Sequence, residues 1–156
     1  MTRTPTALQV AIHEAGHAVA EITLFGPTVK SVTIQRLPGQ YGSVDGLGVV
    51  WTNQDIDGRR IPSDELRKRI IVSLAGPLAE QRAIKASHAK IYRNHRFGDY
   101  SDALCLLRYI PRLKLTTMER QTRGLLRRRW RTILAVADAL MARTTLTGDD
   151  VAALMP

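Results

Sequence analysis

His13-Glu14-Ala15-Gly16-His17 sets two imidazoles four positions apart, with a carboxylate beside them. On a helix, residues four apart stack on one face, so both rings reach a single metal ion. Glu14 adjoins the pair, where it can take a proton from a water on that ion. The H-E-x-x-H pattern suits hydrolysis by a metal-activated water, the chemistry of zinc peptidases.

The surrounding residues predict the helix that this chemistry needs. Leu8, Ile12, Ala15, Val19 and Ile22 recur at helical spacing and supply an apolar stripe. Thr4 is an N-cap candidate with Pro5 just inside the start, and Gly26-Pro27 is a stop signal. The motif therefore falls inside a helix of about five to six turns, over residues 4–25.

A catalytic zinc site takes three protein ligands, and the motif supplies two. The metzincin extension requires a glycine and a histidine at positions 20 and 23. These are Ala20 and Thr23, which excludes that class. Candidates for the third ligand are Glu80, His88, His95, Asp99 and Asp102. His88 and His95 lie in a polar, basic stretch, 87–98, read as a loop without hydrophobic scaffolding. Glu80 follows the small pair Ala75-Gly76, which allows close helix packing, and suits either a ligand or a partner that orients a ligating histidine. Asp102 begins an apolar helix. The residue chemistry leaves Glu80 and Asp102 open.

The remaining segments predict a mainly α (α+β) single domain over residues 1–156, with one small β-sheet next to the motif helix. Residues 29–35 are β-branched and partly alternating, as in a strand. Residues 37–46 are rich in glycine and turn formers, and 47–52 read as a second strand paired with the first. A helix from about Ser63 carries Leu66, Ile70, Ile71, Leu74 and Leu78 inward, and Gly76-Pro77 predicts a kink or division in it. A short helix spans 99–109, a long one runs from Thr116 or Thr117 to about Arg143, and Thr147 caps a last helix over 148–155.

Composition narrows the class. Hydrophobic content of 44% and charged content of 24% over 156 residues are those of a globular domain with a core. No apolar run approaches the roughly 20 residues of a membrane span, and no signal-peptide pattern opens the chain. Cys105 is the single cysteine, so an intrachain disulfide is excluded; this favours a reducing, cytoplasmic location. The net charge of +9 concentrates between Arg108 and Arg143, where ten basic residues face two acids, Glu119 and Asp138. Leu126, Trp130, Ile133, Leu134, Ala137, Leu140 and Met141 form a helical stripe there, and most arginines fall off it onto the wet face. An arginine face of this density also suits an acidic docking partner. Nucleic acid is a weaker match, because aromatic residues, the usual stacking surfaces, make up only 5% of the chain.

His-Glu-Ala-Gly-His-Ala at 13–18 resembles the peptidase domain of the FtsH family of ATP-dependent zinc proteases. Val29-Lys30-Ser31-Val32-Thr33-Ile34 is similar to the strand after that family's motif helix. Leu74-Ala75-Gly76-Pro77-Leu78-Ala79-Glu80 is similar to its glycine-rich stretch, with Pro77 in place of a basic residue. Gly98-Asp99-Tyr100-Ser101-Asp102 is similar to the segment ending in an Asn-Asp pair, with Ser101 for the Asn, and Leu146-Thr147-Gly148-Asp149-Asp150-Val151 to the start of its terminal helix. The resemblance spans nearly the whole chain. It implies a zinc endopeptidase that holds Zn2+ on His13, His17 and Asp102, uses Glu14 as base, and acts on unfolded or flexible proteins. Glu80 is then left as an orienting partner. This sequence carries no segment resembling the family's ATPase module or membrane anchor, and no G-x-x-x-x-G-K-[ST] loop occurs, so the expectation is a stand-alone peptidase domain, or one cut from a longer protein, that itself binds no nucleotide and cleaves without ATP. Family members form hexameric rings, which makes a homo-oligomer an open possibility. The alternative is a weak or inactive metal-binding adaptor that docks partners through its basic C-terminal helix.

Overall fold

The computed structural model describes residues 4–36, 41–46 and 61–156. The order of elements is α1 (Ala7–Phe25), β1 (Ser31–Thr33), β2 (Ser43–Asp45), α2 (Ser63–Ile84), α3 (His88–His95), α4 (Asp99–Leu107), α5 (Leu115–Arg143), β3 (Thr145–Thr147) and α6 (Gly148–Ala153). The described residues are mainly helical with one small antiparallel sheet, the predicted fold class.

The motif helix begins two residues later than Thr4 suggests. Thr6 is the N-cap, and with Gln9 it forms a reciprocal capping box: the Thr6 hydroxyl accepts from Gln9 N–H while the Gln9 side chain accepts from Thr6 N–H. Gly26, at φ 82°, ends it in a conformation that disfavours side chains. Ala11, Ala15, Ala18, Val19 and Ala20 are fully buried, whereas Leu8 is 48% exposed and lies off the working stripe.

Helix α1 packs most extensively on α2 and then on α5. The close approach to α2 has a specific cause. A Cβ on Gly16 would lie 2.8 Å from the Ala75 carbonyl oxygen and 2.9 Å from Ala79 Cβ. Helix α2 runs as one element through Pro77 rather than dividing there, with Leu74, Ala75, Gly76, Pro77 and Leu78 all buried. Tertiary packing on both sides outweighs the hydrogen bond that proline forfeits. The core continues through Leu66, Ile70, Tyr100, Leu106, Met118, Leu126, Ile133 and Leu140. Each such aliphatic side chain contributes roughly 1.5–3 kcal/mol by leaving water.

The sheet has the order β2-β1-β3. Val32 of β1 pairs with Val44 of β2 on one side and with Leu146 of β3 on the other. The strand β2 arises inside the glycine-rich stretch read as turn, and β3 precedes the final helix, where no strand was expected. Thr147 serves both as the last residue of β3 and as the cap of α6. The strand expected over 47–52 lies outside the described residues. Residues 88–95 form helix α3 rather than a loop. Ser87 caps it and Ile91 anchors it in the core. Cys105 is only partly buried.

Candidate metal centre

Helices α1, α2, α3 and α4 each send a polar side chain to one point. From α1, His13 Nε2 and His17 Nε2 lie 3.0 Å apart. Each ring has a fixed neighbour on its far side. His17 Nδ1–H donates to the Val72 carbonyl of α2 at 2.8 Å, which leaves the Nε2 lone pair facing inward. A Cβ on Gly76 would run into the His17 ring, so glycine there is what lets the imidazole lie against α2. His13 Nδ1 is buried and makes no hydrogen bond; its nearest carboxylate is Glu80 of α2, 3.6 Å away.

The carboxylate that joins the two imidazoles is Asp99. One of its oxygens lies 3.2 Å from His13 Nε2 and the other 3.3 Å from His17 Nε2. These spacings match the donor–donor separation of a tetrahedral zinc site, roughly 3.3 Å for bonds of about 2.0–2.1 Å. His13, His17 and Asp99 are one of two donor groups of metal-binding geometry among the described residues; His13, Glu80 and His95 are the other.

Asp102, the ligand that the family resemblance implies, belongs to neither group. It lines the same groove because residues three apart share a helix face. Yet it sits about 4.5 Å further along α4 than Asp99, which is the first residue of that helix. The carboxylate that stands at the imidazole nitrogens is that of Asp99, not Asp102. His88 lies away from the site, where its Nε2–H donates to buried Glu119 at 2.7 Å. His95 lies within it. Its ring stacks on His13 with centroids 4.8 Å apart, and its Nε2–H donates to Glu80 at 2.8 Å.

The charges reinforce the geometry. Burial opposes ionisation of Asp99, but the adjacent His17 and His13 outweigh it and hold the carboxyl well below its ordinary range. Burial likewise opposes charge on His13, yet Asp99 and Glu80 push its pKa up to about 10. Glu80, despite burial, is drawn down to about 2 by the adjacent His13 and by the hydrogen bond from His95. His95 is raised as Asp99 and Glu80 overcome its burial. The pocket thus holds negative carboxylates that favour a cation at the imidazole nitrogens, and a metal bound there would replace the proton on His13.

Glu14 is 7% exposed and lines the groove beside this cluster. Burial raises its pKa, with His13 and His17 pulling the other way. Gly42, just before β2, passes so close that an added Cβ would lie 2.8 Å from Glu14 Cγ. The groove measures about 550 Å³ and continues past Ser43 and Val44 of β2. Among known proteins, no family model matches the chain and no curated protein is significantly similar to it.

Proposed function

We propose that this chain is a zinc-dependent endopeptidase of FtsH-like type. The observation that carries the reading is the convergence of His13 Nε2, His17 Nε2 and the Asp99 carboxylate at 3.0–3.3 Å in a groove that Glu14 also lines. The same donor set fits zinc better than calcium or magnesium, which take oxygen ligands.

His13, His17 and Asp99 would hold the ion. When bound, zinc supplies a Lewis acid and a water whose pKa is about 7. Glu14 accepts the proton of the attacking water and returns it to the leaving amine. It is buried beside Gly42 and lines the groove, and burial raises its pKa. Among the described residues, strand β2 is one of the two outer strands of the sheet and lines the groove, so an extended, unfolded substrate segment can add to it by main-chain hydrogen bonds.

No helix among the described residues is long and apolar enough to cross a membrane. A reducing, cytoplasmic setting agrees with the single cysteine. A second reading, a metal-binding adaptor, draws support from the outer face of α5, where Arg120, Arg123, Arg127, Arg128 and Arg131 are all exposed. Metal analysis of the purified chain, with a casein cleavage assay, separates the two. Stoichiometric zinc with cleavage supports the peptidase; zinc without cleavage supports the adaptor.

A further inference from the structure

We propose that His95 is a positioning residue of the metal centre: its imidazole holds Glu80 behind His13 and stacks on the His13 ring. This rests on the metal-site reading above and adds a residue outside the ligand set.

The contacts close a ring. Glu80 Oε2 lies 3.6 Å from His13 Nδ1 and accepts from His95 Nε2–H at 2.8 Å. The other His95 nitrogen, Nδ1, lies 3.5 Å from Asp99 Oδ2. That same oxygen is 3.2 Å from His13 Nε2. His95 also stacks nearly parallel on His13, at an interplanar angle of 20°. One carboxylate, Glu80, and one ligand ring, His13, are therefore held from a single side chain, which also lies beside Asp99.

His95 also belongs to the second donor group, with His13 and Glu80. Glu80 faces His13 Nδ1 and Asp99 faces its Nε2, and a neutral imidazole has only one lone pair. One ion position therefore excludes the other. His17 decides between them, because its Nδ1–H is committed to Val72 and its lone pair faces Asp99. With His13 Nε2 turned to the ion, its Nδ1–H points at Glu80. This gives the otherwise unpartnered buried nitrogen an acceptor, the carboxylate–histidine arrangement that fixes ring orientation at metal sites. Glu80 can serve that role only if it is itself held, and His95 holds it.

Helix α3 is anchored independently of the metal centre. Ile91 is fully buried, and at the other end of the helix His88 donates to Glu119. His95 is thus presented from a braced element, and its replacement leaves those anchors in place.

The test is a cobalt(II) titration of the full chain, followed by visible spectroscopy and chelator competition, on the wild type, H95F and H95Q. Phenylalanine keeps a flat ring against His13 but has no donor. Glutamine keeps a donor for Glu80 and loses the nitrogen facing Asp99. One equivalent of cobalt is expected in all three, with affinity about 10–100-fold weaker in H95F. H95Q should recover part of that loss, and both variants should shift the cobalt bands. Wild-type affinity and spectrum in H95F overturn the proposal, as do two equivalents in the wild type falling to one in H95F, which would make His95 a ligand. If H95F does not fold, an unshifted spectrum in H95Q overturns it. A wild type that takes up no cobalt refutes the metal centre itself, a different result from a silent H95F.

Discussion

Asp99 Oδ1 lies 3.3 Å from His17 Nε2, joining the first residue of α4 to the motif helix. This contact completes the donor set and separates Asp99 from its neighbour Asp102. Asp99→Ala should weaken zinc binding by more than about 100-fold, beyond the loss typical of residues that only orient a ligand. Asp102→Ala should leave zinc stoichiometric. Chelator competition on both variants measures the difference, and the reverse pattern would restore Asp102 as the ligand.

Gly76 permits the seat of His17, and this too is open to measurement. Gly76→Ala inserts a methyl into the imidazole. The expected cost is about 1–3 kcal/mol in stability, from overpacking, together with weaker zinc binding as the ring leaves the Val72 carbonyl. Gly124→Ala in α5 is the control. Its added Cβ meets only Arg128 Nη1, at 3.6 Å, so it should stabilise by about 0.4–1 kcal/mol. Urea denaturation of both variants gives the signs.

The motif helix, the long C-terminal helix and the mainly α class were legible because their apolar residues repeat at helical spacing over many turns. The two histidines of the cluster were legible because one local motif holds them. The carboxylate beside them was not, since Asp99 and Asp102 share a helix face and only the docking of α4 on α2 decides which carboxylate reaches the imidazoles. Helix α3 was hidden by its polarity, although Ser87 followed by His88, Ile91 and His95 has the cap and spacing of a short helix. The strands β2 and β3 are three residues each, too short to show alternation. They exist because β1 offers both its edges.

Tyr100 makes a pH-dependent contribution away from the metal centre. Its hydroxyl donates to buried Glu119 at 2.8 Å. Burial, then the Glu119 hydrogen bond and charge, raise its pKa well above the ordinary 10.0. A folded-state pKa above the unfolded one gives stability that is complete below about pH 10 and lost as pH rises beyond it. In a spectrophotometric titration, Tyr100 should ionise together with alkaline unfolding. Tyr100→Phe should remove that component and cost about 1–3 kcal/mol at neutral pH, by leaving Glu119 with one donor fewer.

The central claim is that Glu14 is the base of a zinc peptidase built on His13, His17 and Asp99. The most direct measurement is casein cleavage by the zinc-loaded wild type and Glu14→Gln, with metal content determined on the same samples. The account predicts equal zinc in both, cleavage by the wild type, and a loss of at least about 100-fold in the variant. Cleavage by Glu14→Gln at the wild-type rate, with zinc still bound, would contradict it.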